Sequence, residues 1–302
     1  MRIKPWAAMA AVGLSLAGGT ASAGAATVIE DQYAVAGPYA TTTGTISDAS
    51  GAVVYATYQP ASYAALTFDS PIVVWGNGTD ATPDKYATLL TRLASHGFTV
   101  VAPVAVNVGS GNRLVAAAQK MVALNGTPGS VYAGNLDVGA IATVGHSQGA
   151  TGATRAAAAN PGLIDAVMTF SMPNASFSAA NPDCPTAADC TPNPSLLTQP
   201  AFLIGTRGFL DGLIASPATQ TAYFNSVPGT AALGVLKSSE GKAADHNSIQ
   251  DAADGGNPGG FLGYATAWLK AKLRGDTTAA GAFGGASPEL PGNTRWSPAA
   301  VK

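Results

Sequence analysis

The chain has 302 residues, 47% of them hydrophobic and 11% charged, with a formal net charge of −2. That is enough apolar material for one large buried core. It is too little charge of either sign to neutralise a nucleic-acid backbone or to hold an anionic membrane. Arg2 and Lys4, the apolar run from Trp6 to Ala17 and the small-residue site Ala21-Ser22-Ala23 read as a secretory signal peptide over residues 1–23, with an apolar stretch too short to span a bilayer. Without those two cations, 13 Lys+Arg stand against 17 Asp+Glu, a net charge of −4. The mature chain, 24–302, is therefore expected to be exported to the periplasm or the medium. It is expected to act as a monomer, with no nucleic-acid partner, stable membrane insertion, metal or cofactor.

Taken in order, Thr43 to Ile46 and Ala52 to Ala56 suit antiparallel strands at a sheet edge. Pro71 to Trp75 is apolar enough for a buried central strand, and Gly76-Asn77-Gly78-Thr79 breaks it into a loop. Pro83 to Ser95 carries Tyr86, Leu89, Leu90 and Leu93 at helical spacing, with Gly97 as the stop. His96, in the last turn, is placed where positive charge suits the helix dipole. Phe98 to Ala102 is the next strand and Leu114 to Leu124 the next helix, ended by Asn125-Gly126. Ala140 to Val144 (strand) and Ala150 to Asn160 (helix) enclose Gly145-His146-Ser147-Gln148-Gly149. Beyond lie a strand over Ile164 to Phe170, a polar insert loop over 173–199, and a strand over Ala201 to Ile204. A helix over Thr219 to Asn225, a last strand over Ala231 to Leu236 and a closing amphipathic helix over Phe261 to Leu273 complete the pattern. In the tail 276–302, Trp296 argues for packing back onto the domain. Alternating strands and helices predict a single-domain α/β fold with a mostly parallel, doubly wound sheet flanked by helices.

The only cysteines, Cys184 and Cys190, fall in the insert. In an oxidising compartment they are expected to pair, with a free reactive thiol as the alternative. No histidine is near them to complete a metal site.

A strand, a Gly-x-Ser-x-Gly turn and a helix form the setting of a nucleophile elbow, as in the α/β-hydrolase fold. The glycines are needed because side chains two residues either side of the serine would collide with neighbouring backbone. A serine hydroxyl needs a base within reach, and the chain has three histidines. His146 adjoins the serine and points away from it, and His96 precedes the serine, the wrong order for this fold. His246, in the polar loop after the Ala231–Leu236 strand, is left. The acid belongs between serine and histidine in the chain, and Asp211 follows the Ala201–Ile204 strand through the turn Thr206-Arg207-Gly208-Phe209-Leu210. Asp183 and Asp189 sit in the insert, Asp165 lies at the wrong end of a strand, and Asp245 and Asp251 are too near His246 to orient it from behind. The predicted triad is Ser147, Asp211 and His246. The predicted oxyanion donors are the backbone amides of Gln148 and Asn77.

These residues resemble the secreted polyester hydrolases, cutinases and lipases typified by bacterial PET hydrolases and actinomycete cutinases. The resemblance rests on Gly37-Pro38-Tyr39, on Leu93-Ala94-Ser95-His96-Gly97-Phe98-Thr99-Val100-Val101, on Leu124-Asn125-Gly126-Thr127 with Tyr132, and on the elbow. It continues through the strand before Asp211, the His246 loop and Ala265-Thr266-Ala267-Trp268-Leu269 followed by Gly275-Asp276. It implies the same triad. The chain departs from the PET-active pattern in several ways, one being a longer turn before Asp211. It has Asn77 for an aromatic residue, Gln148 for Met, and Asn174 for a Trp. The family's C-terminal disulfide is absent. On this reading Asn77, Gln148 and Asn174 face the substrate, and polar side chains there give no stacking surface for aryl esters. The expected function is hydrolysis of acyl esters or aliphatic polyesters through an acyl-enzyme on Ser147. The alternatives are an acyltransferase using the same triad, an aromatic polyester (PET) hydrolase, and a binding protein on a hydrolase scaffold.

Overall fold

In the computed structural model, residues 27–179 and 181–302 are described; the signal peptide expected over 1–23 lies outside them. The strands are β1 (Thr41–Ser47), β2 (Val53–Pro60), β3 (Ser70–Gly76), β4 (Thr99–Pro103), β5 (Leu136–His146), β6 (Ala166–Phe170), β7 (Ala201–Thr206), β8 (Ala231–Leu236), the short pair β9 (Ser238–Ser239) and β10 (Lys242–Ala243), and β11 (Trp296–Val301). The helices are α1 (Val28–Ala34), α2 (Ala87–Ser95), α3 (Asn112–Asn125), α4 (Gln148–Ala159), α5 (Ala175–Ser178), α6 (Phe209–Ile214), α7 (Pro217–Ser226), α8 (Gly259–Arg274), α9 (Thr277–Ala280) and α10 (Glu289–Gly292).

Nine strands form one sheet in the order β1-β2-β4-β3-β5-β6-β7-β8-β11. The six from β4 to β8 are parallel, and antiparallel pairs close both edges. Alternation along β3 explains why its run is apolar throughout. Val73 and Trp75 enter the core beneath α2 and α8, while Ile72 and Val74 enter the core beneath α3, α4 and α7. A parallel strand covered on both faces has no solvent side to make polar. From β3 the chain turns outward to β4 and then crosses back to β5. The β3/β5 boundary is therefore the switch point where open α/β sheets leave a crevice at their C-terminal strand ends. Asn77 follows β3 and Ser147 follows β5, so both stand there.

Three expectations change. Ala231 to Leu236 is not the last strand, because the tail returns to add β11 antiparallel to β8, with Trp296 buried beside Gly234. The closing helix α8 is not amphipathic over its first three turns, where Phe261 to Leu269 are all buried. Its outer face is covered by α1, which the sequence did not announce. A Cβ on Gly263 would lie 2.2 Å from the Glu30 carbonyl oxygen. Glu30 itself is buried and accepts hydrogen bonds from Trp296 Nε1 (2.9 Å), Asn293 and Arg295, which ties both ends of the described chain to α8. Finally, His96 is not a cation serving a helix dipole. It is buried and its Nε2–H donates to the Val35 carbonyl at 3.0 Å. Burial, aided by Lys270, Arg92 and Arg274, pushes its pKa down to about 4.

The sign of the resulting pH dependence follows. Between pH 6.5 and about 4 the unfolded chain protonates this histidine and the native one does not, so folding stability falls as pH falls, by about 1 kcal/mol per pH unit. His96→Asn is expected to flatten the slope of unfolding free energy against pH in that window, read by urea titration. An unchanged slope would show that His96 titrates normally in the fold.

Candidate active site

Ser147 lies between β5 and α4 with φ 53° and ψ −125°, a region a non-glycine residue rarely adopts. The flanking glycines allow that turn by close approach rather than by conformation. A Cβ on Gly145 would lie 2.2 Å from the Gly149 carbonyl oxygen. One on Gly149 would lie 2.2 Å and 2.4 Å from the Gly76 and Asn77 carbonyl oxygens. The N-terminus of α4 is thus pressed directly against the end of β3.

Three loops converge on the serine. His246 Nε2 lies 2.9 Å from Ser147 Oγ, and His246 Nδ1 lies 2.6 Å from Asp211 Oδ1. The second carboxylate oxygen, Oδ2, accepts from Ser171 Oγ (2.7 Å), from the Thr206 amide (3.0 Å) and from the Thr206 hydroxyl. A carboxylate only accepts, so the imidazole proton sits on Nδ1 and Nε2 presents its lone pair to the serine hydroxyl. Asp211 is fully buried, and Ser147 and His246 are nearly so. A hydroxyl in this setting can surrender its proton to the imidazole as it attacks an acyl carbon.

Several supporting groups escaped sequence reasoning. Ser171 follows β6 at φ 47°, and Thr206 closes β7; their place at C-terminal strand ends was the available signal. Asp245, set aside as an orienter of the imidazole, orients backbone instead. Its carboxylate accepts from the amides of His246 (2.8 Å), Asp211 (2.9 Å) and Leu210 (3.1 Å). Burial opposes its charge, but these amides outweigh it and hold the carboxyl below its ordinary pKa. Gly208 is needed because a Cβ there would lie 2.1 Å from Asp245 Cγ.

The polar side chains expected to face substrate are all engaged in hydrogen bonds within the protein, and of the three Gln148 lines the cleft. Asn77 is fully buried, accepting from Trp75 Nε1 (3.1 Å) and donating to the carbonyls of Pro103 (2.7 Å) and Ala105 (3.2 Å). Gln148 accepts from the Val108 amide (3.1 Å) and from Asn181, and donates to the Val106 carbonyl (2.8 Å). Asn174 caps α5 and donates to the Leu213 carbonyl (3.1 Å). The backbone amides differ. That of Gln148 is at the first position of α4, where no intrahelical acceptor exists. That of Gly78 is committed to Tyr86 Oη at 3.0 Å.

The cleft beside Ser147 has a volume of about 210 Å³ and is walled by Thr79, Gln148, Pro173, Phe177, Asn181, Pro182 and Ile214. Much of that wall belongs to the insert. Its Cys184 and Cys190 are bridged, with Cα atoms 5.7 Å apart. Asp183 anchors the insert, accepting from the Ser110 amide at 3.0 Å and pairing with Arg113 at 3.5 Å. Among the described residues, no group of three or more His, Cys, Asp or Glu side chains could hold a metal ion.

The PET hydrolase-like family model, PETase, matches residues 19–286. The chain belongs to this family. With it come the α/β-hydrolase fold and a general ester-hydrolase chemistry. Comparison with curated proteins gives no match.

Asp245→Ala would orphan three amides at once. It is expected to lower stability by about 1–3 kcal/mol in urea denaturation, and to cut turnover while the fold persists. Full turnover in the folded variant would show that Asp211 and His246 hold their places without it.

Proposed function

We propose that this protein is a secreted serine ester hydrolase that cleaves acyl esters and aliphatic polyesters. The observation that carries the reading is the unbroken hydrogen-bond series from Asp211 through His246 to Ser147, with the serine on a strained elbow. Ser147 Oγ attacks the ester carbonyl and its proton passes to His246 Nε2. Asp211 holds the imidazole tautomer and stabilises the imidazolium. The amides of Asn77 and Gln148 receive the oxyanion, the latter aided by the N-terminus of α4. His246 then returns the proton to the departing alcohol, leaving the acyl-enzyme. A water deprotonated by the same imidazole attacks the acyl carbon, and the acid is released as Ser147 regains its proton.

The walls argue for the substrate class. The cleft is smaller than the roughly 300–1,000 Å³ of ordinary small-molecule sites, which suits an acyl segment of modest length. Within the wall Phe177 is 52% exposed, and Pro173 and Ile214 beside it add apolar surface, fitting an ester carried on an apolar chain. The family's name points to an aromatic polyester. Among the described residues that line the cleft Phe177 is the one aromatic, so an aryl ring has one face to stack on rather than a clamp. Export is supported by the expected signal over 1–23 and by the Cys184–Cys190 bridge. Among the described residues no helix is long and apolar enough to cross a membrane.

Mature protein is expected to hydrolyse p-nitrophenyl esters, and Ser147→Ala or His246→Ala to lose on the order of 10⁴-fold or more of that rate. Undiminished turnover in either folded variant would sink the mechanism. Aliphatic polyester films are expected to be cleared faster than aromatic ones, with Phe177→Ala slowing both. Equal release of aromatic and aliphatic monomers would refute the substrate assignment.

A further inference from the structure

His146 is buried, adjoins the serine and takes no part in the chemistry above. Its Nε2 lies 2.9 Å from the backbone carbonyl oxygen of His246, and its Nδ1 lies 3.0 Å from Tyr86 Oη. A carbonyl only accepts, so Nε2 carries the proton. Burial, with the His246 ring beside it, keeps the group neutral, well below its ordinary pKa. Nδ1 is therefore an acceptor, and the Tyr86 hydroxyl donates to it. The same phenolic oxygen accepts the Gly78 N–H at 3.0 Å. Gly78 follows the Asn77 amide, and the His246 carbonyl belongs to the residue whose imidazole meets Ser147.

We propose that Tyr86 and His146 are positioning residues whose three hydrogen bonds, running from the Gly78 amide to the His246 carbonyl, set the spacing between the oxyanion loop and the base. This rests on the reading of Ser147 and His246 as nucleophile and base. Two further observations bear on it. A Cβ on Gly78 would lie 2.8 Å from His146 Nδ1 and 2.9 Å from Tyr86 Oη, so that residue is kept bare by the relay atoms themselves. The same two segments also meet a second time. The Asp251 amide donates to the Lys85 carbonyl at 2.8 Å, and the Asp251 carboxylate accepts from the Thr88 amide at 3.1 Å. The turn that presents Tyr86 is thus braced against the loop of the base. Neither Tyr86 nor His146 lines the cleft, so they act through Asn77 and His246 rather than on substrate.

The test is Tyr86→Phe, which deletes two of the three bonds while keeping the ring that packs 4.8 Å from Trp75. Steady-state hydrolysis of a soluble p-nitrophenyl ester and inhibition by an alkylboronic acid, a mimic of the tetrahedral adduct, are measured on folded protein. The relay predicts a fall in kcat of about 10- to 100-fold, smaller than outright loss of an oxyanion donor. KM should stay within about twofold, and the boronate should weaken by the same factor as kcat/KM falls. Gly78→Ala, which pushes a methyl into the relay, should show the same split. The double variant should be no worse than the poorer single one, because both break one unit. If Tyr86→Phe is unfolded at the assay temperature, Gly78→Ala carries the kcat and boronate comparison alone. A folded Tyr86→Phe protein with parental kcat and boronate affinity would overturn the proposal, as would strictly multiplicative losses in the double variant. Ser147→Ala separates the two readings. If it is inactive while Tyr86→Phe turns over normally, only the relay falls; if it is active, the ester-hydrolase reading falls first.

Discussion

The site depends on one contact without side chains, the backbone of Gly149 against the carbonyls of Gly76 and Asn77. At that contact the N-terminus of α4 meets the end of β3, at the point where the sheet changes direction. The serine beside that contact is held at a φ it would not choose. A Cβ at Gly149 would force α4 away from the end of β3, and one at Gly145 would strike the first turn of α4. The strain at Ser147 is offset by what surrounds it, since β5 runs buried to His146 and α4 is buried along most of its length.

Around that contact, carboxylates have divided labour. Asp211 is fully buried and satisfied by a hydroxyl, an amide, a second hydroxyl and an imidazole, a donor set that leaves it an acceptor in every direction. Asp245 performs the less visible task of holding the backbone from which Asp211 and His246 project. A charge removed from water needs several hydrogen bonds to be tolerated, and in both cases they come from the ends of strands and short helices. Geometry and electrostatics are therefore met by the same bonds.

The cleft shows how a polar substitution need not make a polar surface. Asn77 and Gln148 turn inward and bind the backbone of the segment after β4, joining β3, α4 and that segment into one rigid wall. The surface left to substrate is supplied by Thr79, Gln148 and Ile214 and by the disulfide-bridged insert, which contributes Pro173, Phe177, Asn181 and Pro182.

The alternation of apolar runs and helices, the elbow and the chain order of serine, acid and histidine were legible because each is local or ordinal. Spacing along one strand or one turn carries the information, and three histidines allowed a base to be chosen by elimination. The sequence did not announce α1 or β11, since short polar-rich segments acquire their structure only by covering α8 and β8. Nor did it disclose the roles of Ser171, Thr206 and Asp245, or the hydrogen-bond partners of Asn77, Gln148 and Asn174. The partners of Asn77 and Gln148 are main-chain groups of the segment from Pro103 to Val108, supplied through a crossover that no local pattern encodes. The chain thus determined by itself that a serine would be displayed on a strained turn at the end of a buried strand. Only the tertiary structure decided which side chains face that serine, because an amide side chain follows the nearest unpaired backbone group, and where that group lies is a property of the folded sheet.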